Sequence, residues 1–211
     1  MACNTHKYVL VKEFVSPKKE GMQTCRFAIA FLSILLAGCS DANIKPLDLP
    51  EFQGIEPIPA AIGVYYSPEF LNYEATYYDG IATVHLGPAS RSVFAPLIRS
   101  AFADTVLVDS ANPPELVAGE IEAVLIPRIV KFSGDVTGRQ AGLPMFTISV
   151  RYKLDVEHAN GSSLTLSAQG DAKRSGLTGN KAIPDAMRSA AAELWVTLQA
   201  APRNTEWFTG L

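Results

Sequence analysis

The stretch Phe146-Thr147-Ile148-Ser149-Val150-Arg151-Tyr152-Lys153-Leu154-Asp155-Val156-Glu157 decides the fold class. Every even-numbered residue in it is apolar and every odd-numbered one is polar. Side chains of a strand alternate between the faces of its sheet, so the pattern predicts a strand with one face in a core and the other in water. Leu164, Leu166, Ala168, Gly170 and Ala172 alternate in the same way with Thr165, Ser167, Gln169, Asp171 and Lys173. Parity fixes the turn between the two strands. A two-residue Asn160-Gly161 turn sets Leu164 opposite Glu157 and sends the two apolar sets to opposite faces, because a one-residue slip inverts a strand. A three-residue loop, Ala159-Asn160-Gly161, pairs Val156 with Leu164 and Leu154 with Leu166. It also puts Gly161 at the left-handed position of a bulged turn, where glycine costs least. The sequence predicts the three-residue loop.

Working outward, Ile183, Met187, Ala190, Ala191, Leu194 and Leu198 form the apolar stripe of a helix from Pro184 to Ala200, with proline well placed at its start and Pro202 ending it. Upstream, Leu116 to Ile126 reads as a long strand, with Pro127 marking a bend or an edge. Ser133 to Pro144, with Gly134, Gly138 and Gly142, reads as a glycine-rich loop, and loops of that length are either functional or simply mobile. Strands are expected at Ala61–Tyr66 and Ile81–Leu86, with Ser67–Gly80 as a loop or hairpin between them. Val93, Phe94, Leu97, Ile98, Ala101 and Phe102 give one face of a helix over Ser90–Ala103. Pro96 lies inside it, so the helix is expected to start at Ser92 or bend at Pro96. Val106 to Val108 reads as a short buried strand, and Asn112-Pro113-Pro114 breaks the chain. Packing both helices on the apolar face of the sheet satisfies every stripe. The expected fold is α+β: a two-layer sandwich of a mainly antiparallel sheet with two helices on one face, forming one domain over residues 61–205.

Pro46, Pro50, Pro57 and Pro59, with acidic residues among them, suit residues 40–61 to an extended tether. At about 3.1 Å per residue such a segment spans up to about 60 Å. The alternative is that part of it lies along the domain. Ahead of it, Arg26 is followed by the apolar run Phe27–Leu36 and then by Leu36-Ala37-Gly38-Cys39. The run is far shorter than the roughly 20 residues that span a bilayer, and charge, apolar run and small residues stand in secretory order. These four parts together resemble the signal peptide and lipobox of a bacterial lipoprotein. The resemblance implies cleavage before Cys39, a diacylglycerol on its thiol and an acylated new N-terminus. That covalent lipid is the only cofactor expected. Residues 22–38 are then the signal peptide, and 39–60 the lipidated tether. Residues 1–21, a mixed-charge prefix foreign to such leaders, are expected to precede a true start at Met22. Residue 40 is serine, with aspartate only at Asp41. In lipoproteins of this type aspartate directly after the cysteine favours inner-membrane retention, so the resemblance implies the periplasmic face of the outer membrane.

Composition narrows the partners. Residues 1–38 hold five of the 18 Lys+Arg and two of the 21 Asp+Glu, leaving 13 basic and 19 acidic residues and a net of −6 in the 173 residues that follow. This argues against nucleic acid and against polybasic attraction to anionic headgroups. Cys3 and Cys25 lie ahead of the cleavage point, so the mature chain keeps Cys39 alone and cannot form an internal disulfide or a thiolate metal site.

The sequence carries no Gly-x-Ser-x-Gly elbow and no phosphate-binding Gly-x4-Gly-Lys-Ser/Thr loop; Gly176-Leu177-Thr178-Gly179-Asn180-Lys181 has the glycines too close and reads as a strand-to-helix connection. His85 is expected in a strand, partly buried, and His158 beside the hairpin turn, solvated. Asp155 and Glu157 share a strand face with Arg151 and Lys153, as a ladder of cross-strand pairs. The chain is therefore expected not to be an enzyme, and no metal is expected. Five of the seven tyrosines fall at Tyr65, Tyr66, Tyr73, Tyr77 and Tyr78, with Phe70 among them. Aromatics are enriched at binding hot spots, so Tyr73, Tyr77, Tyr78 and Phe70 form the candidate binding surface. The alternative is that some cap the core and the rest pack the loop.

Lipobox, proline-rich segment, helix, antiparallel strands and final helix together resemble small envelope lipoproteins of the YajG-like family. More distantly they are similar to the lipopolysaccharide-assembly lipoprotein and to auxiliary lipoproteins of ABC-type lipid transporters. The resemblance implies a non-catalytic accessory or assembly factor with an envelope protein partner. The alternative is a glycan- or lipid-binding lipoprotein that uses the Tyr65–Tyr78 loop.

Overall fold

The alternation at residues 146–157 lies in the second-to-last strand of a five-stranded sheet. The computed structural model describes residues 41–44, 47, 52, 56–77, 82–140, 142–176 and 181–200, all within the unit Cys39–Leu211. The elements run β1 Asp41–Asn43, β2 Ile58–Val64, α1 Pro68–Leu71, β3 Glu74–Tyr77, β4 Ala82–His85, α2 Gly87–Ala101, β5 Phe102–Leu107, α3 Pro114–Ala118, β6 Ala123–Gln140, β7 Leu143–His158, β8 Ser163–Ser175 and α4 Ala182–Ala200. The main sheet has the order β5-β2-β6-β7-β8 and a small one the order β1-β4-β3. Strands β6, β7 and β8 form an antiparallel meander, while β2 runs parallel to both β5 and β6. The fold is thus α+β, a mixed, mainly antiparallel sheet with helices on one face.

The hairpin register follows parity. Val156 pairs with Leu164 and Leu154 with Leu166. The amide of Gly161 donates to the His158 carbonyl at 2.9 Å, and Gly161 has φ 81°, the left-handed conformation that glycine adopts without a Cβ clash. Ile148, Val150, Tyr152, Leu154 and Val156 are all buried, while Arg151 and Lys153 are exposed. On the polar face Asp155 takes a charge-assisted contact from Arg128 at 2.6 Å and a hydrogen bond from Thr165 at 2.7 Å. Arg151 donates instead to Gln169.

Helices α2 and α4 cover the apolar face. Every residue of the stripe expected on α4 is buried. The helix comes so close to β8 that a Cβ at Gly170 would overlap the Ala186 carbonyl oxygen and the Ala190 amide nitrogen. Between α2 and the sheet, the Ser90 and Tyr152 hydroxyls meet at 3.0 Å, both fully buried. A second, smaller cluster of Leu116, Ile121, Val124 and Ile126 lies apart from this core.

Several elements differ from expectation. Helix α2 starts at Gly87, ahead of Ser92, and runs unbroken through Pro96. Its buried face of Val93, Phe94, Leu97 and Ile98 offsets the hydrogen bond that proline cannot make. Residues 116–126 are not one strand. Pro114 at the first helical turn, Glu115 in that turn and Gly119 as a left-handed cap make α3, and β6 begins at Ala123. Pro127 lies inside β6, opposite Leu154. The Leu125 carbonyl faces β2, where it accepts from Tyr65, so Pro127 two residues on turns its nitrogen to that same side, past the last β2 pair at Val64–Leu125. Residues 133–144 are not a loop. Their glycines sit in the long β6–β7 hairpin, paired from Ser133–Ser149 to Gln140–Leu143, with an irregularity between Val136 and Gly138. Gly134 is small because Tyr77 and Ile148 pack over it. Val106 and Leu107 are not buried: β5 is an edge strand, and they are 41% and 67% exposed. His158 is buried and not solvated, and that burial holds its pKa below the usual value against the pull of Glu157 and Glu122.

For residues 40–61, the described part lies along the domain. β1 pairs with β4, the Leu47 amide donates to Ser92 Oγ at 3.1 Å with Leu47 buried, and Phe52 packs on Trp195 with ring centroids 5.0 Å apart. Strand β2 starts at Ile58, ahead of Ala61, in parallel pairing with β5. Among the described residues no helix is long and apolar enough to cross a membrane.

Two measurements check this packing. Leu154→Asp should cost several kcal/mol in urea unfolding, because it buries an unpaired charge, while Lys153→Asp should cost about 1 kcal/mol or less. Equal midpoints would mean the faces are reversed. Gly170→Ala should cost about 3 kcal/mol by pushing α4 off β8; a loss of only a few tenths would show that the helix does not ride on the strand backbone.

Candidate functional site

Two of the four residues of the expected binding surface are buried. Phe70 is 3% and Tyr77 8% exposed. Tyr77 packs edge-on to Phe132 at 5.9 Å, because the small sheet folds over the far part of β6. Phe70 sits in α1, whose Ser67 cap accepts the Phe70 amide, and its ring is wedged between Tyr66 and Phe94. Tyr73 is half-buried against the same core, and its carbonyl accepts the Leu86 amide at 2.9 Å. The surface reading of Phe70 and Tyr77 is thereby corrected: they are core. Tyr78, Cys39 and residues 177–180 lie outside the described residues. His85 ends β4 and meets Glu74, its partner across β3, at 2.8 Å. Among the described residues no group of three or more His, Cys, Asp or Glu is placed to hold a metal ion.

A cleft that the sequence did not single out lies where α2 hands over to β5. The chain passes from helix to strand between Ala101 and Phe102 without a loop, so the last turns of α2 and the edge strand diverge from one point. Tyr66, two residues past β2, is among the residues lining the opening. Arg91, Ala95, Ile98 and Arg99 line one wall, Val64 lies beside Tyr66, and Thr105, Val106 and Leu107 line the other wall, enclosing about 280 Å³. Arg91, Ala95 and Arg99 recur every fourth residue and so share one face of the helix. The small Ala95 leaves the space between the two arginines open.

Two arginines set the electrostatics of this cleft. Arg128, Arg174 and Arg188 each pair with a carboxylate. Arg91 and Arg99 have no carboxylate partner among the described residues. The Arg91 guanidinium lies 5.3 Å from the Tyr66 ring centre, a cation–π contact. Arg99 Nε donates to the Ala95 carbonyl at 3.1 Å, which braces the side chain along the helix. Burial pushes the Tyr66 phenol up to about 12, and Arg91 and Arg99 pull it back only in part. At neutral pH the hydroxyl therefore keeps its proton and is a hydrogen-bond donor. A chain of rings, Tyr66 on Phe70 at 5.6 Å, Phe70 on Phe94 at 5.8 Å and Phe94 on Tyr152 at 5.2 Å, fixes the phenol to the middle of the core. The arrangement offers two cations, one neutral donor and apolar walls. It holds no nucleophile paired with a base.

No family model and no curated protein matches the chain. Solved structures similar to it include a DUF330 protein from Xanthomonas campestris, at 13% identity and a TM-score of 0.45, over 80% of this chain and 99% of that one. A putative neuraminyllactose-binding hemagglutinin homolog from Helicobacter pylori is similar at 12% identity and a TM-score of 0.45, over 79% and 97%. A minor lipoprotein from Acinetobacter baumannii is similar at 9% identity and a TM-score of 0.38, over 69% and 94%.

The arginines of the cleft carried a signal in the sequence, two cations eight apart on one helix face with alanine between them, in an acidic chain. That signal gains meaning only once β5 is known to be an edge. The placement of the aromatics has a direct check. Phe70→Ala should lower stability by about 3–5 kcal/mol, as a large ring lost from a filled core. Tyr73→Ser should cost clearly less. If Phe70→Ala melts like the unaltered chain, the aromatic segment is surface after all.

Proposed function

We propose that this chain is a lipid-anchored envelope protein, held by an acylated Cys39 on the periplasmic face of the outer membrane, where it acts as a non-catalytic accessory subunit of a larger complex. The observation that carries this reading is the order Arg26, Phe27–Leu36, Ala37-Gly38-Cys39 directly ahead of a folded domain. Ser40 after the cysteine supports outer-membrane sorting. The acidic balance after residue 38 supports a protein or neutral partner over nucleic acid. The described residues also supply a cleft suited to binding.

The fold gives the anchor a consequence. Asp41 already pairs in β1, so Ser40 alone stands between Cys39 and the domain, a step of two residues. Two residues span about 7 Å at most, against the roughly 60 Å of a free tether. On this reading the domain sits directly against the bilayer. A glycan- or lipid-binding role through residues 65–78 is less well supported, because Phe70 and Tyr77 are core.

Cys39→Ser should abolish acyl labelling, leave the precursor uncleaved and release no mature protein to outer-membrane fractions. Normal processing of that variant would defeat the proposal. A fluorophore on the domain at position 43 should be quenched by headgroup-labelled lipid; a domain held tens of Å away would escape quenching, which would remove the membrane-proximal placement but not the anchor.

A further inference from the structure

We propose that the cleft between α2 and β5 is a binding site for a phosphomonoester carried on an apolar body, held by Arg91, Arg99 and the Tyr66 hydroxyl against Leu107. This goes beyond the accessory role and does not depend on lipid anchoring.

Three observations converge on it. The first is charge. The domain is acidic, yet the two arginines that line the cleft have no carboxylate partner among the described residues; Arg139 and Arg151 lack one too, but stand singly elsewhere. A guanidinium without a carboxylate of its own keeps N–H donors for whatever enters, and carboxylate and phosphate oxygens match its fork. The second is number. Two full positive charges and one neutral O–H donor face a single opening. A phosphomonoester carries about −1.5 to −2 near neutral pH with three acceptor oxygens, whereas a carboxylate carries one charge and two oxygens. Two cations and one donor match the former. Arg91 and Arg99 stand eight residues apart, about 12 Å along the axis, a span that two extended arginine side chains close by leaning towards each other over Ala95.

The third is the wall. Leu107 is 67% exposed at the free edge of the sheet, on the face of Val64, its partner in β2. With Val64 and Ile98 it gives the cleft an apolar flank beside its cationic one. Free phosphate uses only the second flank. A phosphate with hydrocarbon attached uses both, and the apolar part contributes in proportion to the area it covers. The volume of about 280 Å³ suits a head and the first several carbons, with the rest of the body leaving along the edge. The phenol stays protonated through the physiological range, so it donates to a phosphate oxygen and does not repel it.

The test is calorimetric titration of the full chain, at physiological salt, with four probes: decyl phosphate below its micelle concentration, inorganic phosphate, decanoate and decanol. Decyl phosphate is expected to bind at one site, at least about tenfold more tightly than inorganic phosphate and decanoate, with decanol giving no saturable signal. Arg91→Ala and Arg99→Ala should each weaken decyl phosphate about tenfold, the scale of a lost charge-assisted hydrogen bond. Leu107→Ser should weaken decyl phosphate several-fold and leave inorganic phosphate unchanged. All three side chains are exposed, so unaltered circular dichroism should accompany each loss. Equal affinity for decanoate would overturn the phosphate assignment, and equal affinity for inorganic phosphate would overturn the apolar half. Saturable decanol binding, or decyl phosphate binding untouched by both arginine substitutions, would overturn the site. Vesicles bearing a phosphomonoester lipid then separate the sources: binding to them that Arg99→Ala weakens points to a membrane-held head, and its absence with decyl phosphate still bound points to a soluble one.

Discussion

The hydroxyls of Ser90 and Tyr152, 3.0 Å apart in the centre of the core, fix the relation between helix and sheet. Both residues are fully buried, and neither hydroxyl has water to fall back on. A buried pair of this kind contributes only about 1 kcal/mol net, but leaving either group unpaired costs about 1–3 kcal/mol. The bond therefore acts less as a source of stability than as a constraint on how α2 may rotate and slide. Apolar contacts alone tolerate a small rotation, since Val93, Phe94 and Leu97 would still meet apolar neighbours. The hydroxyl pair does not tolerate it. With Ser90 pointing down at β7, Arg91 is turned about 100° away, on the side that overlooks β2 and β5. Arg99, eight residues later, lies about 80° further round and still lines the cleft. The cationic wall of the cleft is thus set by a polar contact deep beneath it.

The same logic governs the other helix. Gly170 lets α4 rest on the backbone of β8, and Ala182, Ala186 and Ala190 keep its underside flat. A close helix there leaves α2 only the remaining part of the sheet, over β7, β6 and β2. The two helices thus divide one apolar face by size, small residues at β8 and large ones such as Phe94 nearer β2. Strand β5, beyond the reach of α4 and joined to α2 without a loop, is left as an open edge.

How much of this was legible follows from which interactions are local. The alternation of Phe146–Glu157 and Leu164–Lys173 reports burial directly, so the strands, their faces and the register of their hairpin could be read residue by residue. The α4 stripe was legible for the same reason. What failed depended on topology. Val106 and Leu107 look like any buried strand until β5 proves to be the last strand of the sheet. Gly134 and Gly138 look like loop residues until Tyr77 is seen to pack over one and a strand irregularity to use the other. The aromatics of 65–78 have the composition of a recognition loop, yet Phe70 is taken into the core from a short helix and Tyr77 from a small second sheet, neither of which a local pattern announces. One miss was avoidable. Pro114, Glu115 and Gly119 together spell a short helix, and the apolar residues of 116–126 obscured them.

Open edges are usually a hazard, because unpaired strand backbone invites another strand, and proteins blunt them with charge. β5 carries Asp104, and the cleft beside it carries Arg91 and Arg99, so the edge has charges of both signs. Their placement is uneven, though. If protection alone were at issue, a charge would replace Leu107, the most exposed apolar residue of the strand. Instead Leu107 stays exposed and the cations stand across the cleft from it. Arginine over a tyrosine ring is also held in place by the ring, which keeps its guanidinium at the mouth of the cleft. An edge built only to resist association would have no use for that. A cleft that must admit a molecule with one charged end and one apolar end needs both walls as they stand.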